Sequence, residues 1–224
     1  MRIIFIMILL YSMPSIAAES TLKTDNEKLS YAIGMDIGKS IQAMKLNLDL
    51  DVFLKGVKSA TEGSALMTDA EAREIRQSFF QKVQLKQADK QKIVADENLK
   101  KGEDFLAKNK TKKGVITTSS GLQYEVIKQG DGVKPSKTDQ VEVHYRGTLI
   151  DGTEFDSSYK RGTPATFPVN RVIPGWTEAL QLMQVGSKYK LFIPADIAYG
   201  TRQQGKLITP NSTLIFEVEL LKVL

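Results

Sequence analysis

The sequence predicts an α+β protein, in which a helical first half precedes an antiparallel β-sheet wrapped around one short helix. Proline divides the chain, because none occurs between Pro14 and Pro135 and six fall from Pro135 to Pro210. The proline-free part is rich in Lys, Glu and Gln, whereas the later part alternates apolar and polar residues between prolines and glycines. Helices followed by strands favour two modules joined in one α+β chain.

Residues 1–18 have the layout of a secretory signal peptide. Arg2 gives a positive start, residues 3–11 are apolar, and small residues at 15–18 suit cleavage after Ala17 or Ala18. The apolar run is shorter than the roughly 20 residues of a membrane span, and a short anchor or a buried N-terminal segment is the alternative. The chain has no cysteine, which excludes a lipid on an N-terminal cysteine. We therefore expect an exported protein.

Residues 26–59 have the period of an amphipathic helix. Apolar residues recur every fourth position, at Leu29, Ile33, Ile37 and Ile41. Gly34 and Gly38 lie one turn apart, although glycine costs about 1 kcal/mol in a helix interior. Close approach of a second helix explains such a pair, and a tolerated irregularity or a helix break is the alternative. Because a segment of about 40 residues is poorly able to bury its own core, we expect residues 19–67 to self-associate.

A capping box predicts the start of a long helix, with Thr68 as the N-cap and Glu71 at the third helical position. Nothing ends this helix before residues 106–109, so about 40 residues at about 1.5 Å each form a rod about 60 Å long. Its Lys-, Gln- and Asp-rich middle lacks a continuous apolar seam, which disfavours a full-length coiled coil. Residues 68–113 are therefore predicted to be a solvent-bridging helix that connects two modules.

Residues 114–224 read as a sheet domain. Four segments are strand-like, at residues 122–127, 141–149, 188–193 and 214–220. The one good helical run lies at residues 176–183. An antiparallel sheet over this single helix is the arrangement that the order of elements allows.

The most informative stretch runs from Val141 to Ser158 and resumes at residues 172–176. Alternation places Tyr145 on the apolar face of a strand, and Asp151-Gly152 is a turn pair. Phe155 and Asp156 follow the turn, and the only tryptophan comes at 176. An aromatic cavity that holds one carboxylate, in a chain without cysteine and with one histidine, is unsuited to most hydrolytic chemistry. It suits the binding of an apolar, kinked piece of peptide.

These motifs closely resemble the FKBP-type peptidyl-prolyl isomerases over residues 114–224. The resemblance continues through Ala198-Tyr199-Gly200 and through the ending at residues 211–221. Upstream, the motif from Lys28 to Gly34 and the long polar helix resemble the Mip-like (macrophage infectivity potentiator) subgroup. The fold implied is the FKBP-like sheet around a short helix, preceded by an all-α dimerisation segment and a long spacer helix.

The resemblance implies a cofactor-free, non-covalent peptidyl-prolyl cis-trans isomerase (EC 5.2.1.8) that acts on proline-containing polypeptide clients. It also implies a homodimer through residues 26–60, a location in the periplasm, outer membrane or cell surface, and an association with virulence. FK506- or rapamycin-type macrolides are candidate inhibitors. Two departures bear on them: Ala165 stands where many relatives have an aromatic residue, and Gln204 where several have histidine.

The same resemblance implies a role for each site residue. Trp176 would form the floor of the pocket, and the Ile173 N–H and the Tyr199 hydroxyl would each hold a substrate carbonyl. Asp156 would lie at the rim beside the rotating carbonyl, oriented by Arg161. The implied walls and outer edge are Tyr145, Phe155, Val172, Ile173, Phe216 and Ile208.

Each of these residues also has a plainer interpretation. Trp176 would be the core tryptophan of a small domain, and Tyr145 and Phe216 ordinary inward-facing strand residues. Asp156, which precedes two serines, would be a turn-capping aspartate. Only their joint match to one motif set favours a site.

Composition argues against other classes of function. The net charge is +5 with a pI of about 9.2, but basic and acidic residues are interleaved and no basic-aromatic patch indicates nucleic acid. No His/Cys cluster indicates a metal, and no phosphate-loop spacing indicates a nucleotide cofactor. The leading hypothesis is thus an exported isomerase that assists folding. The alternative is a dimeric periplasmic or surface chaperone or adhesion clamp in which isomerisation is secondary.

Overall fold

The computed structural model describes residues 22–224, so the predicted signal peptide lies outside the described residues. The chain divides into two compact units, one ending at Arg73 and the other spanning Glu74–Leu224. Among residues 22–224, no helix has both the length and the apolar character needed to cross a bilayer.

The first unit contains two helices where the sequence pattern indicates one. Helix α1 (Asp25–Ala43) begins with a capping box between Thr24 and Glu27, and α2 (Leu50–Thr61) begins where the Asp49 side chain accepts hydrogen bonds from two backbone N–H groups. The helical pattern over 26–59 is therefore divided between two helices. Lys45 adopts a left-handed φ of 52°, which ends α1.

Helix α3 (Asp69–Asn109) has the predicted bounds and crosses from the first unit into the second. The Thr68 capping box is confirmed, because the Thr68 N–H donates to Glu71 Oε2 at 2.7 Å and the Glu71 N–H to Thr68 Oγ1 at 3.2 Å. The buried residues of α3 are Gly102 and Asn109, both close to its C-terminus. Most of this helix is thus solvated, whereas its last turns pack against the sheet domain.

The second unit contains an antiparallel sheet of seven strands. The strands are β1 (Val115–Thr117), β2 (Gln123–Lys128), β3 (Gln140–Leu149), β4 (Glu154–Ser157), β5 (Ala165–Pro168), β6 (Lys188–Ile193) and β7 (Leu214–Val223). Their order is β1-β2-β6-β7-β3-β4, and β5 pairs with the first half of β3. A short helical turn, α4 (Ser158–Arg161), follows β4, and α5 (Pro174–Leu182) packs against the sheet.

One hydrophobic core joins the sheet to α5. Alternate residues of β3 and β7 face inward, as period-2 patterning requires, and Trp176, Ala179 and Leu180 meet them from the helix. The side chains of Leu180, Val143 and Val218 are fully buried. This core fixes the direction in which Trp176 points, and so prepares the site.

Candidate functional site

Trp176 lies at the centre of an aromatic cluster on the sheet side of α5. Its ring meets Tyr145 at 5.3 Å, Phe216 at 5.1 Å and Phe167 at 5.8 Å between centroids, each nearly perpendicular. Phe155 extends the cluster through an edge-to-face contact with Phe216 at 5.4 Å. Such arrangements let the positive edge of one ring meet the negative face of the next.

The indole is 4% exposed, and its Nε1 atom has no hydrogen-bond partner among the described residues. The centre of the cluster is therefore buried ring surface without a hydrogen-bonded polar group. Pro174 at the first position of α5 fixes the start of the helix that carries this ring.

Two glycines allow the close packing on which this cluster depends. A Cβ atom on Gly175 would lie 2.5 Å from Ile193 Cγ2, so only glycine lets the start of α5 approach β6 this closely. A Cβ atom on Gly147 would lie 2.5 Å from the Phe155 ring and 2.8 Å from the Phe216 ring. Glycine at 147 therefore allows both rings to lie over β3.

A polar triad borders the aromatic cluster. The Tyr145 hydroxyl donates to Asp156 Oδ2 at 2.5 Å, and Arg161 forms an ion pair with Asp156 Oδ1. Arg161 Nη2 also donates to the Tyr145 hydroxyl at 2.8 Å, and its guanidinium carbon lies 5.4 Å from the centroid of the Tyr145 ring. Both oxygens of Asp156 are thus engaged, which holds the carboxylate in one orientation.

The triad keeps Asp156 charged. Partial burial raises the pKa of Asp156, but hydrogen bonds from Tyr145 and Arg161 outweigh burial and leave the pKa below the ordinary aspartate value. Burial raises the pKa of Tyr145, and its hydrogen bond to Asp156 raises that pKa further. At pH 7 Asp156 is therefore a carboxylate and Tyr145 a neutral phenol. The pair supplies a fixed negative charge and is not suited to transfer a proton to a ligand.

Two donors near the cluster remain available to a ligand. Within residues 22–224, neither the Ile173 N–H nor the Tyr199 hydroxyl takes part in a hydrogen bond, whereas the Ile173 carbonyl accepts from the first turn of α5. Burial raises the pKa of Tyr199, and the negative charge of Asp156 raises it further. The Tyr199 hydroxyl thus stays protonated and able to donate.

The structure brings the sequence-predicted site residues together in one region. The apolar members belong to, or pack against, the single core of the second unit: Tyr145, Phe155, Val172, Ile173, Trp176, Tyr199, Ile208 and Phe216. Asp156 and Arg161 join them through Tyr145. These residues therefore lie together in the second unit, and their roles in binding stay predictions.

Two contributors were missed by sequence reasoning. Phe167 contacts both Trp176 and Tyr145, and its strand β5 is too short to show a period in the sequence. The buried Ser158 hydroxyl accepts from the Tyr145 N–H at 2.8 Å, which ties α4 to β3. No pattern of residue spacing in the sequence predicts this hydrogen bond between residues 13 positions apart.

Two known families match different parts of the chain. Residues 131–221 match the family described as FKBP-type peptidyl-prolyl cis-trans isomerase. Residues 26–126 match the family described as the domain amino terminal to FKBP-type peptidyl-prolyl isomerase.

Individual relatives extend over most of the chain. The outer membrane protein MIP of Legionella longbeachae is 47% identical, and the match covers 91% of this chain and 88% of that protein. The FKBP-type peptidyl-prolyl cis-trans isomerase FkpA of Aeromonas hydrophila is 48% identical, with 95% and 81% covered. The crystal structure of FkpA from Escherichia coli matches with a TM-score of 0.69 at 40% identity, covering 91% of this chain and 98% of that one. A peptidyl-prolyl cis-trans isomerase from Pseudomonas syringae pv. tomato matches with a TM-score of 0.54 at 42% identity, covering 58% and 95%.

Proposed function

The chain belongs to the FKBP-type peptidyl-prolyl cis-trans isomerase family, and from this premise we propose that it is an exported, homodimeric isomerase that assists protein folding outside the cytoplasm. One observation carries the site assignment: Trp176 lies among three perpendicular rings, and the Asp156–Arg161–Tyr145 triad lies beside them. The proline ring of a client would occupy the aromatic surface, and the X-Pro carbonyl would face the triad.

The chemistry that this site supports is rotation without a covalent step. The barrier to rotation is about 18–20 kcal/mol, because twisting the amide removes its C–N resonance. A planar amide carries more separated charge than a twisted one, so an apolar floor disfavours the planar ground state relative to the twisted form. Only interactions that are stronger in the twisted state accelerate the reaction.

The polar groups have distinct proposed roles. The Ile173 N–H and the Tyr199 hydroxyl would bind client carbonyls on either side of the proline and so hold a single backbone conformer. Asp156 would place a fixed negative charge beside the rotating carbonyl, and Arg161 and Tyr145 would keep that charge oriented. Val172, Phe155, Phe216 and Ile208 would exclude water.

A protease-coupled assay on a proline-containing peptide tests these roles in the full chain. We expect measurable turnover for the wild type, and a loss of about tenfold or more in kcat/KM for Asp156→Ala, because removing a preorganised electrostatic group is costly. Tyr199→Phe is expected to lose less, since it removes one hydroxyl. Lys222→Ala, on the solvated end of β7, is the matched control. A wild type without turnover would sink the proposal.

The homodimer is proposed from the exposure of the first unit. Neither α1 nor α2 contains a buried residue, although both carry apolar side chains. Leu48, Val52, Phe53, Val57 and Ala60 line a groove with a volume of about 520 Å³. A second copy would cover these side chains. The proposed division is accordingly a dimerisation region at 19–67, a connecting helix at 68–113 and an isomerase domain at 114–224.

Export is proposed from the signal-peptide pattern at residues 1–18. The name of the Legionella longbeachae relative, outer membrane protein MIP, agrees with a location outside the cytoplasm. Fractionation of cells that express the full chain, with N-terminal sequencing of the product, tests it. Cleavage after Ala17 or Ala18 and recovery outside the cytoplasm are expected; an uncleaved cytoplasmic product would contradict export.

The alternative function is a chaperone or adhesion clamp in which isomerisation is secondary. The observation that favours it is α3, whose 41 residues serve no evident purpose in chemistry on one proline. Two linked client sites would gain avidity for an extended polypeptide. Aggregation suppression by the full chain, by residues 74–224 and by full-length Asp156→Ala separates the functions. If residues 74–224 suppress aggregation as well as the full chain does, the clamp hypothesis is contradicted.

Macrolide binding is proposed with reduced affinity, because Ala165 offers little side chain on β5, next to Phe167. Titration with an FK506-type macrolide is expected to show tighter binding for Ala165→Phe than for the wild type. Ala165→Phe with unchanged or weaker binding would show that residue 165 does not border the ligand.

A further inference from the structure

The last turns of α3 contact the segment that follows a predicted site residue. Asn98 Nδ2 donates to Thr209 Oγ1 at 2.7 Å and to the Pro210 carbonyl at 2.8 Å. Thr209 directly follows Ile208, which is 5% exposed and lies in the core that holds Trp176. One side-chain amide of the helix thus holds the backbone and the side chain of this segment.

The same segment is tied to the residue after Tyr199. The Asn211 N–H donates to the Gly200 carbonyl at 2.8 Å, and Asn211 Nδ2 donates to the Ala95 carbonyl of α3 at 3.3 Å. Asn211 has a left-handed φ of 58°, a conformation that asparagine tolerates better than most residues. The helix, residues 208–213 and the Tyr199–Gly200 dipeptide are therefore connected by consecutive hydrogen bonds.

Steric fit keeps the helix against this segment. A Cβ atom on Gly102 would overlap the Thr213 hydroxyl, so glycine allows α3 to lie directly on the segment. Phe105, one turn further, packs against Phe192 of β6 with the ring centroids 6.0 Å apart. The contact is therefore packed as well as hydrogen-bonded, and a shift of the helix requires the 208–213 segment to move.

From these contacts we propose that Asn98 is a positioning residue for the proline site, which acts by fixing residues 208–213 and through them Ile208 and Tyr199. The inference rests on the proposed roles of those two residues. Asn98 touches no client; it removes conformations of the segment in which the Tyr199 hydroxyl and the Ile208 side chain are misplaced. Small displacements at a catalytic group have large kinetic effects, because productive binding requires a narrow geometry.

The test compares two asparagines of the same helix in the full chain. Asn98→Ala removes the two bonds to the 208–213 segment, whereas Asn109→Ala removes a bond of 2.9 Å to Gln123 on β2, a strand without a predicted site residue. Asn109 is fully buried, so its replacement is the more destabilising change. We expect Asn98→Ala to lower kcat/KM about threefold to tenfold, and Asn109→Ala to change it by less than about twofold.

Two further readouts separate positioning from loss of stability. In a Tyr199→Phe background, Asn98→Ala should lose the part of its effect on kcat/KM that acts through the Tyr199 hydroxyl and keep the part that acts through Ile208, so the two effects should not be additive. Amide hydrogen exchange should quicken at Asn211 and Gln204 in Asn98→Ala and stay unchanged in Asn109→Ala. Asn98→Asp, which keeps the size but lacks the N–H donors, serves if the alanine variant folds poorly.

The inference is overturned if Asn98→Ala retains wild-type kcat/KM with unchanged exchange at those amides. It is also overturned if Asn109→Ala lowers kcat/KM as much, because general destabilisation then explains both. An inactive wild type would defeat the proposed function instead, whereas the exchange measurement would still decide whether Asn98 orders the segment.

Discussion

Leu54 and Leu180 illustrate how differently the two units use apolar residues. Both lie in helices, α2 and α5, of 12 and 9 residues. Leu180 is fully buried under the sheet, whereas Leu54 is 62% exposed. The second unit completes its core within the chain, and the first unit leaves its apolar positions without cover.

The comparison shows that an apolar stripe predicts a helix without saying what will bury it. In the second unit the burial partner is a sheet that the same segment of chain supplies. In the first unit, about 50 residues are too few to enclose a core. The proposed homodimer would supply the missing cover. Each prediction below compares a residue of the first unit with one of the second unit, whose core is closed.

The largest expected effect comes from truncating the two leucines. Leu180→Ala should lower the free energy of unfolding by about 2–5 kcal/mol, because it leaves a cavity in a closed core. Leu54→Ala should cost under about 0.5 kcal/mol if its surroundings stay solvated. Thermal denaturation over a range of protein concentrations measures both. A concentration-dependent melting temperature that falls in Leu54→Ala would show that a second copy covers α2.

A smaller effect, opposite in sign between the units, is expected for two glycines. Gly147→Ala should destabilise by about 1–3 kcal/mol, because its methyl group would displace Phe155 or Phe216. Nothing lies within 4 Å of a Cβ atom on Gly34, so Gly34→Ala should stabilise an isolated α1 by about 1 kcal/mol. Sedimentation and unfolding measurements follow both. A weakened dimer in Gly34→Ala would mean that another helix approaches there.

The smallest effect is the acid dependence of one carboxylate in each unit. The backbone hydrogen bond from Thr68 lowers the pKa of Glu71, while Asp156 reaches a lowered pKa despite its burial. Both groups stabilise the folded chain above their unfolded pKa values of about 4, and that contribution is lost as pH falls through the lower folded values. Asp156→Asn and Glu71→Gln should each flatten the loss of stability below about pH 4.

Replacing the two carboxylates is expected to have different effects on isomerase turnover. Asp156→Asn should also reduce isomerase turnover at neutral pH, whereas Glu71→Gln should leave it unchanged. An unchanged acid limb of the unfolding curve in Asp156→Asn would contradict the lowered pKa. Reduced turnover in Glu71→Gln would instead show that the start of α3 influences the site.

The sequence allowed some elements to be predicted because their signals are local. The Thr68–Glu71 capping box and the absence of any breaker located α3, and period-2 alternation located β2, β3, β6 and β7. The break after α1 was missed, because a lysine with positive φ carries no sequence signal. The short strands β1, β4 and β5 were missed because three or four residues show no period.

For the candidate site, the sequence allowed the types of residue and one contact, the Asp156–Arg161 pair, to be predicted, and not the other hydrogen bonds. Trp176, Asp156 and Tyr145 emerged from a joint motif, since each alone fits an ordinary core or turn. Three hydrogen bonds join residues that only the fold brings together. Arg161 donates to the Tyr145 hydroxyl, the Tyr145 N–H donates to the Ser158 hydroxyl, and Asn98 donates to the Pro210 carbonyl. Hydrogen bonds between residues far apart in the chain produce no periodic pattern in the sequence, so they could not be predicted from it.

The solitary indole has a practical consequence. Trp176 is the only tryptophan of the chain, and its ring packs against Tyr145 and Phe216 in the candidate site. Excitation at the red edge of protein absorbance selects tryptophan over the tyrosines, so the emission of the whole molecule comes from Trp176. If the proposed site binds a client, we expect its occupancy to change this emission, so that binding can be followed by fluorescence without any added label.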